Sequence, residues 1–205
     1  MPRRRRPPTV VPWSGIAYRA TTYDVPLWVS PNRRDGRWNH AGAACTQYLS
    51  LDPAAPYAEL LRAEDLRTER DAQLLRMTLW QLRIADGAIV DYSTFEKAEA
   101  AGFPPEALID DDQERCRAEA EFLRAHGVRG LLSPSAALPG SVSLTLFGPR
   151  VAVGWATAPA LASMVPVQRL ATGGPPPGLV ARVRFHGRPH DGLAAYRSLQ
   201  RRPAE

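Results

Sequence analysis

The chain shows no regular alternation of strands with long helices. Its apolar stretches are short, and turn-forming residues separate them. Such a pattern excludes a doubly wound parallel sheet and predicts an α+β domain. The strand–G-x-G-x-x-G–helix fingerprint and the phosphate loop ending in Gly-Lys-Ser/Thr are also missing, which disfavours a Rossmann oxidoreductase or an ordinary ATPase.

Local patterns place the elements. Trp13 to Thr22 reads as a strand with Ile16 and Tyr18 on one face and Ala17 and Arg19 on the other. Residues 30–42 are polar and read as a loop, and Thr46 to Ser50 as a strand. Asp52-Pro53 reads as the cap and first residue of a helix running to about Arg62. Leu74 to Ile84 and Ala88 to Tyr92 read as two strands joined by a turn at Asp86-Gly87. Ser93 or Thr94 caps a short helix that Gly102 ends. Asp110 to Asp112 place negative charge where the next helix dipole favours it, and that helix stops at Gly127. Val128 to Leu132, Val142 to Phe147 and Val151 to Trp155 complete about seven strands. Gly173 to Gly178 reads as a hinge before a short basic segment.

Charge limits the function. The 205 residues carry a net +5, but Arg3 to Arg6 give +4 and residues 181–205 another +4, leaving the 7–180 body at −3. A nucleic-acid reader needs a basic stripe on its folded face, and the body offers none. Lys97 is the sole lysine, so the arginine excess reads as a codon bias. No apolar run approaches the ~20 residues needed to span a bilayer. Pro7, Pro8 and Pro12 follow the arginines where a signal peptide would be apolar. Cys45 and Cys116 lack metal-pair spacing and read as reduced thiols of a cytoplasmic protein. His186 and His190 are four apart, but Gly187 and Pro189 spoil the helix that would align them, so a solvated loop is expected there and no metal.

Four pieces could carry chemistry: Tyr18-Arg19, Gly36-Arg37-Trp38-Asn39, Tyr48 followed by Glu59 eleven residues later, and Pro134-Ser135-Ala136 after a buried strand. Singly they are ordinary. A glutamate on an amphipathic helix usually faces solvent, and a serine after a strand usually caps a turn. Together, Y-R, G-R-W-N-x-x-G, Y-L-S, E and P-S-A resemble the RES domain over residues 15–150.

The resemblance implies an ADP-ribosyltransferase-like fold of short, mostly antiparallel strands with a few flanking helices. It implies a bacterial toxin that takes NAD as substrate and breaks the nicotinamide–ribose bond, by hydrolysis or phosphorolysis, or transfers ADP-ribose to a protein. It implies a cognate antitoxin as partner. Residue by residue, Glu59 would be the catalytic carboxylate. Arg19 and Arg37 would contact the pyrophosphate or nearby polar groups. Tyr48 would line the nicotinamide pocket with Trp38 in its wall, and Ser135 would be the pocket serine. Ser143 stands where the family often has Asn and cannot both donate and accept as an amide does. The expected organisation is a disordered tail over 1–12, the NAD-binding catalytic domain over 13–155 and an extension over 156–205.

The chemistry suits these residue types. Nicotinamide leaves NAD without needing a proton, so the second carboxylate of ordinary glycosidases is dispensable. Two other readings stay open: a non-catalytic interaction module with a decayed site, and a nucleic-acid-associated protein using its arginine-rich ends.

Overall fold

The structure is a computed structural model that describes residues 6, 8–22, 32–43, 45–148 and 163–201. Six strands occur among them: β1 (Val10–Thr21), β2 (Thr46–Ser50), β3 (Met77–Asp91), β4 (Gly130–Pro134), β5 (Val142–Phe147) and β6 (Ser163–Gly173). The helices are α1 (Ala55–Ala63), α2 (Glu69–Ala72), α3 (Phe95–Ala100), α4 (Glu114–Ala125) and α5 (Asp191–Gln200). The expected α+β class holds. The pairings are antiparallel except for β3 with β4.

The strand order is β1-β2-β5-β4-β3-β6, and β1 also pairs with β3. Five strands therefore form a closed circuit, with β6 added beside β3. The interior face of this circuit buries Ala17, Leu49, Leu82, Ile84, Leu132, Leu144 and Leu146. A second cluster packs α1 on Tyr18, Ala20 and Leu79, and a third packs α3 and α4 around Tyr92, Phe103 and Leu131.

Two expected strands are one. The Asp86-Gly87 signal marks a β-bulge rather than a turn. Val11 pairs with Ile89 and Trp13 with Asp86, so two β3 residues oppose Pro12. Proline has no N–H to give the ladder, and a bulge is where a sheet tolerates it. The tail boundary shifts as well, because Val10 to Pro12 already belong to β1.

The α1 helix begins at Ala55, later than expected, with Ala54 as its cap residue. Asp52 instead accepts the Ala54 N–H through Oδ1 at 2.7 Å. Thr94 caps α3, accepting the Lys97 N–H. Gly102 and Gly127 close α3 and α4 with φ of 77° and 76°, the left-handed region open to glycine. The strand expected at Val151–Trp155 lies outside the described residues.

The segment after the Gly173–Gly178 stretch folds back on the domain. Leu179, Val183 and Phe185 join the α1 cluster, while Leu193 and Tyr196 of α5 join the α3–α4 cluster. Neither β6 nor α5 was legible in the sequence.

Candidate active site

Strand alternation decides which side chains meet. Ser50, Ser143 and Ser133 stand side by side on β2, β5 and β4, and Tyr48 pairs with Thr145 one step along. All five line one cleft of about 440 Å³. Arg37, Trp38, Glu59, Arg62 and His186 line the same cleft. Sequence spacing thus brings Arg37, Tyr48, Glu59 and Ser143 to one place.

Ser135 is 1% exposed and lies behind the wall, between the lining residues Pro134 and Ala136. Its Oγ donates to Glu59 Oε1 at 2.7 Å. The same Oγ accepts the Ala137 and Leu138 N–H groups at 3.3 and 3.0 Å. With two donors arriving from the backbone, the hydroxyl proton is left to point at the carboxylate. Ser135 therefore acts on the cleft through Glu59.

Arg19 departs from expectation. The period of two places it with Ala17 on the interior side of β1, whereas Ala20 lines the cleft. Arg19 Nη1 donates to the buried Gln47 Oε1 at 3.2 Å. This contact braces β1 against β2 on the face away from Glu59.

The Gly36–Asn39 turn is built around the Tyr48 hydroxyl. Tyr48 Oη donates to Asn39 Oδ1 at 2.7 Å and accepts the Trp38 N–H at 3.0 Å. A Cβ on Gly36 would lie 2.5 Å from that oxygen and 2.6 Å from Asn39 Oδ1, so only glycine fits there. Burial of the hydroxyl raises its pKa well above the ordinary phenol value, and it stays protonated. The Tyr48 residue keeps 38% exposure, so ring surface remains available at the cleft.

Trp38 is 1% exposed and packs beside Phe103 at 6.2 Å between ring centroids. It anchors the turn in the core more than it offers a wall. Arg37 Nη1 donates to the Asp110 carbonyl at 2.8 Å and the Ala107 carbonyl at 3.4 Å, which fixes its guanidinium at the cleft edge.

Several working groups escaped the sequence. Arg62, 3% exposed, stands one turn after Glu59. It donates to the Ala136 carbonyl at 2.6 Å and the Arg184 carbonyl at 3.0 Å, and it pairs with Asp111. The sequence pattern assigns Asp111 to the dipole of the next helix. Its carboxylate instead accepts the Gly187 N–H at 2.7 Å and faces Arg184 and His186 at 3.5 and 3.4 Å.

Burial opposes ionisation of Asp111, but the Gly187 N–H and the Arg62 and Arg184 guanidinium groups outweigh it and hold the carboxyl below its usual range. Such a group contributes fully above the unfolded value of about 3.9 and loses its contribution as pH falls through the lower folded value. Acid unfolding of Asp111→Asn is expected to be less steep below about pH 4 than that of the wild type. An unchanged acid limb would remove this carboxylate from the account.

Cys116 donates its thiol to the Ala107 carbonyl, and burial pushes its pKa up to about 11, so it is inert. Cys45 and Cys116 are both free. Among the described residues, no three His, Cys, Asp or Glu side chains are grouped to hold a metal ion. None of the described helices is long and apolar enough to cross a membrane.

No curated protein sequence matches the chain. The crystal structure of the M. tuberculosis MbcT–MbcA toxin–antitoxin complex contains a chain of similar fold, with a TM-score of 0.63 and 23% identity. The match covers 85% of this chain and 91% of that one. The RES domain family profile matches residues 13–165. With the motif residues Arg37, Tyr48 and Glu59 gathered on one cleft and Ser135 bonded to Glu59, the chain belongs to the RES domain family.

Proposed function

We propose that this protein is a RES-type toxin that consumes NAD by breaking its nicotinamide–ribose bond. The observation that carries this reading is the 2.7 Å bond from Ser135 to Glu59 at the wall of the cleft. A decayed site would have no reason to keep a buried hydroxyl aimed at a cleft carboxylate.

The residues divide the work as follows. Glu59 takes the ribose hydroxyls and stabilises the positive charge that grows on the ribose as nicotinamide leaves. Ser135 keeps that carboxylate in one orientation, which removes the cost of ordering it during the reaction. The Tyr48 ring packs beside the nicotinamide and excludes water there. Arg37 supplies positive charge for the pyrophosphate, and a guanidinium matches phosphate oxygens. Ser143 offers one hydroxyl to the substrate in place of an amide. Arg19 supports the strand that carries Tyr48 and makes no contact with NAD.

The acceptor is water or phosphate, and transfer of ADP-ribose to a protein is the alternative on the same site. The protein works in the cytoplasm, and a cognate antitoxin neutralises it by covering the cleft. The crystallised neighbour of the same fold, held in a toxin–antitoxin complex, supports this partner.

Chromatography of NAD incubated with purified, partner-free protein tests the reading. Nicotinamide is expected to appear. Free ADP-ribose beside it marks water as acceptor, its phosphate ester marks phosphate, and label retained on protein marks transfer. Absence of nicotinamide in buffer alone, with added phosphate and with added protein acceptor overturns the proposal.

A further inference from the structure

The segment 184–193 has no part in the chemistry proposed above and lies beyond the stretch that matches the family profile. It nevertheless surrounds the Ser135 loop. Three consecutive carbonyls of that loop are engaged. Ser135 O faces His190 Nε2 at 3.1 Å. Ala136 O accepts from Arg62 at 2.6 Å and from the Arg184 guanidinium at 3.4 Å. Ala137 O accepts the Arg184 backbone N–H at 2.8 Å. The loop's own N–H groups at Ala137 and Leu138 turn the other way, onto Ser135 Oγ.

His190 is the buried member of this set, 4% exposed, with Phe95 edge-on at 5.7 Å. It is also the N-cap of α5, where Nδ1 accepts the Leu193 N–H at 3.3 Å. An imidazole that accepts at Nδ1 carries its proton on Nε2, so Nε2–H donates to the Ser135 carbonyl. Burial favours this neutral form, as do the Arg184 and Arg62 charges, and together they outweigh the Ser135 carbonyl contact and Asp191, which favour the charged form. One ring thus closes a helix with one nitrogen and holds the serine with the other.

We infer that His190 is a positioning residue that holds Ser135, and through it Glu59, in the geometry the cleft needs. The inference rests on the proposed NAD chemistry for its kinetic consequence only. The order of the Ser135 loop can be read without any substrate.

Two substitutions separate the two nitrogens. Asn places an acceptor near the Nδ1 position and can cap α5, but it is too short to reach Ser135 O. Gln places a donor near the Nε2 position and can reach Ser135 O, but it is a poorer cap. In the full-length protein, His190→Asn is expected to keep its Tm within about 2 °C while the Ala137 and Leu138 amides exchange at least ~10-fold faster. Its kcat for nicotinamide release is expected to fall ~10-fold or more with KM little changed. His190→Gln is expected to show the reverse, with Tm lowered by several degrees and both amide protection and kcat largely kept.

A purely structural role would move Tm, exchange and kcat together in each variant. That outcome, or an Asn variant with wild-type exchange at Ala137 and Leu138, overturns the inference. A wild-type protein without activity would instead defeat the NAD reading, and the exchange rates would still decide the role of His190.

Discussion

Glu59→Gln is expected to lower nicotinamide release by about 10²–10³-fold while leaving the fold unchanged, the scale on which one preorganised electrostatic partner of a transition state acts. Gln keeps a carbonyl oxygen to accept from the Ser135 hydroxyl, so the 2.7 Å contact survives the change. What it loses is the negative charge facing the developing positive ribose. The ground state needs that charge far less, so the loss falls on kcat more than on KM. The substitution should also make the protein easy to express where the wild type arrests growth. Turnover within a few-fold of the wild type, at equal Tm, would remove Glu59 from the chemistry.

Arg62→Met is expected to cause the largest loss of stability. The side chain is 4% exposed and holds the Ala136 and Arg184 carbonyls together with Asp111. Met fills much of the volume but leaves these acceptors without their donor. Breaking a buried ion pair from one side costs about 3–5 kcal/mol. Asp111 is 34% exposed and recovers some hydration, which puts the expected cost near the lower end. At about 2–4 °C per kcal/mol for a chain of this size, Tm should fall by roughly 10 °C. Burial and the neighbouring Arg184 charge lower the Arg62 pKa and Asp111 opposes them, but a guanidinium keeps its charge, so the cost of the site falls on leaving its acceptors unpaired. A melting curve within 1–2 °C of the wild type would show that the cluster contributes little.

Local chemistry made part of this molecule legible. The Thr46–Ser50 and Val142–Phe147 strands, the Thr94 cap and the glycines that end α3 and α4 all follow from short-range rules. Family spacing located Glu59, Arg37 and Tyr48. What escaped were groups whose role depends on distant neighbours. Arg62 is one of 25 arginines, and nothing near it in sequence announces burial. Asp111 looked like a dipole partner because its true partners lie at residues 62, 184 and 187. Asp86-Gly87 carries a turn signal that a bulge uses equally well. Gly187 and Pro189 hid a helix that starts only at Asp191, and with it a buried histidine. Arg19 is the sharper lesson. The alternation already grouped it with Ala17, and the motif outweighed the geometry.

The closed circuit of strands has a consequence for how the chain comes to be folded. Thr46 is in register with Phe147, about a hundred residues later in the chain. Pairings of that span raise contact order and slow folding. During synthesis, β2 has no β5 to pair with until nearly three quarters of the chain has been made. The floor of the cleft, the serine loop and the segment that braces it therefore assemble late and almost together. A nascent chain halted before that point carries Glu59 but no cleft in which to use it.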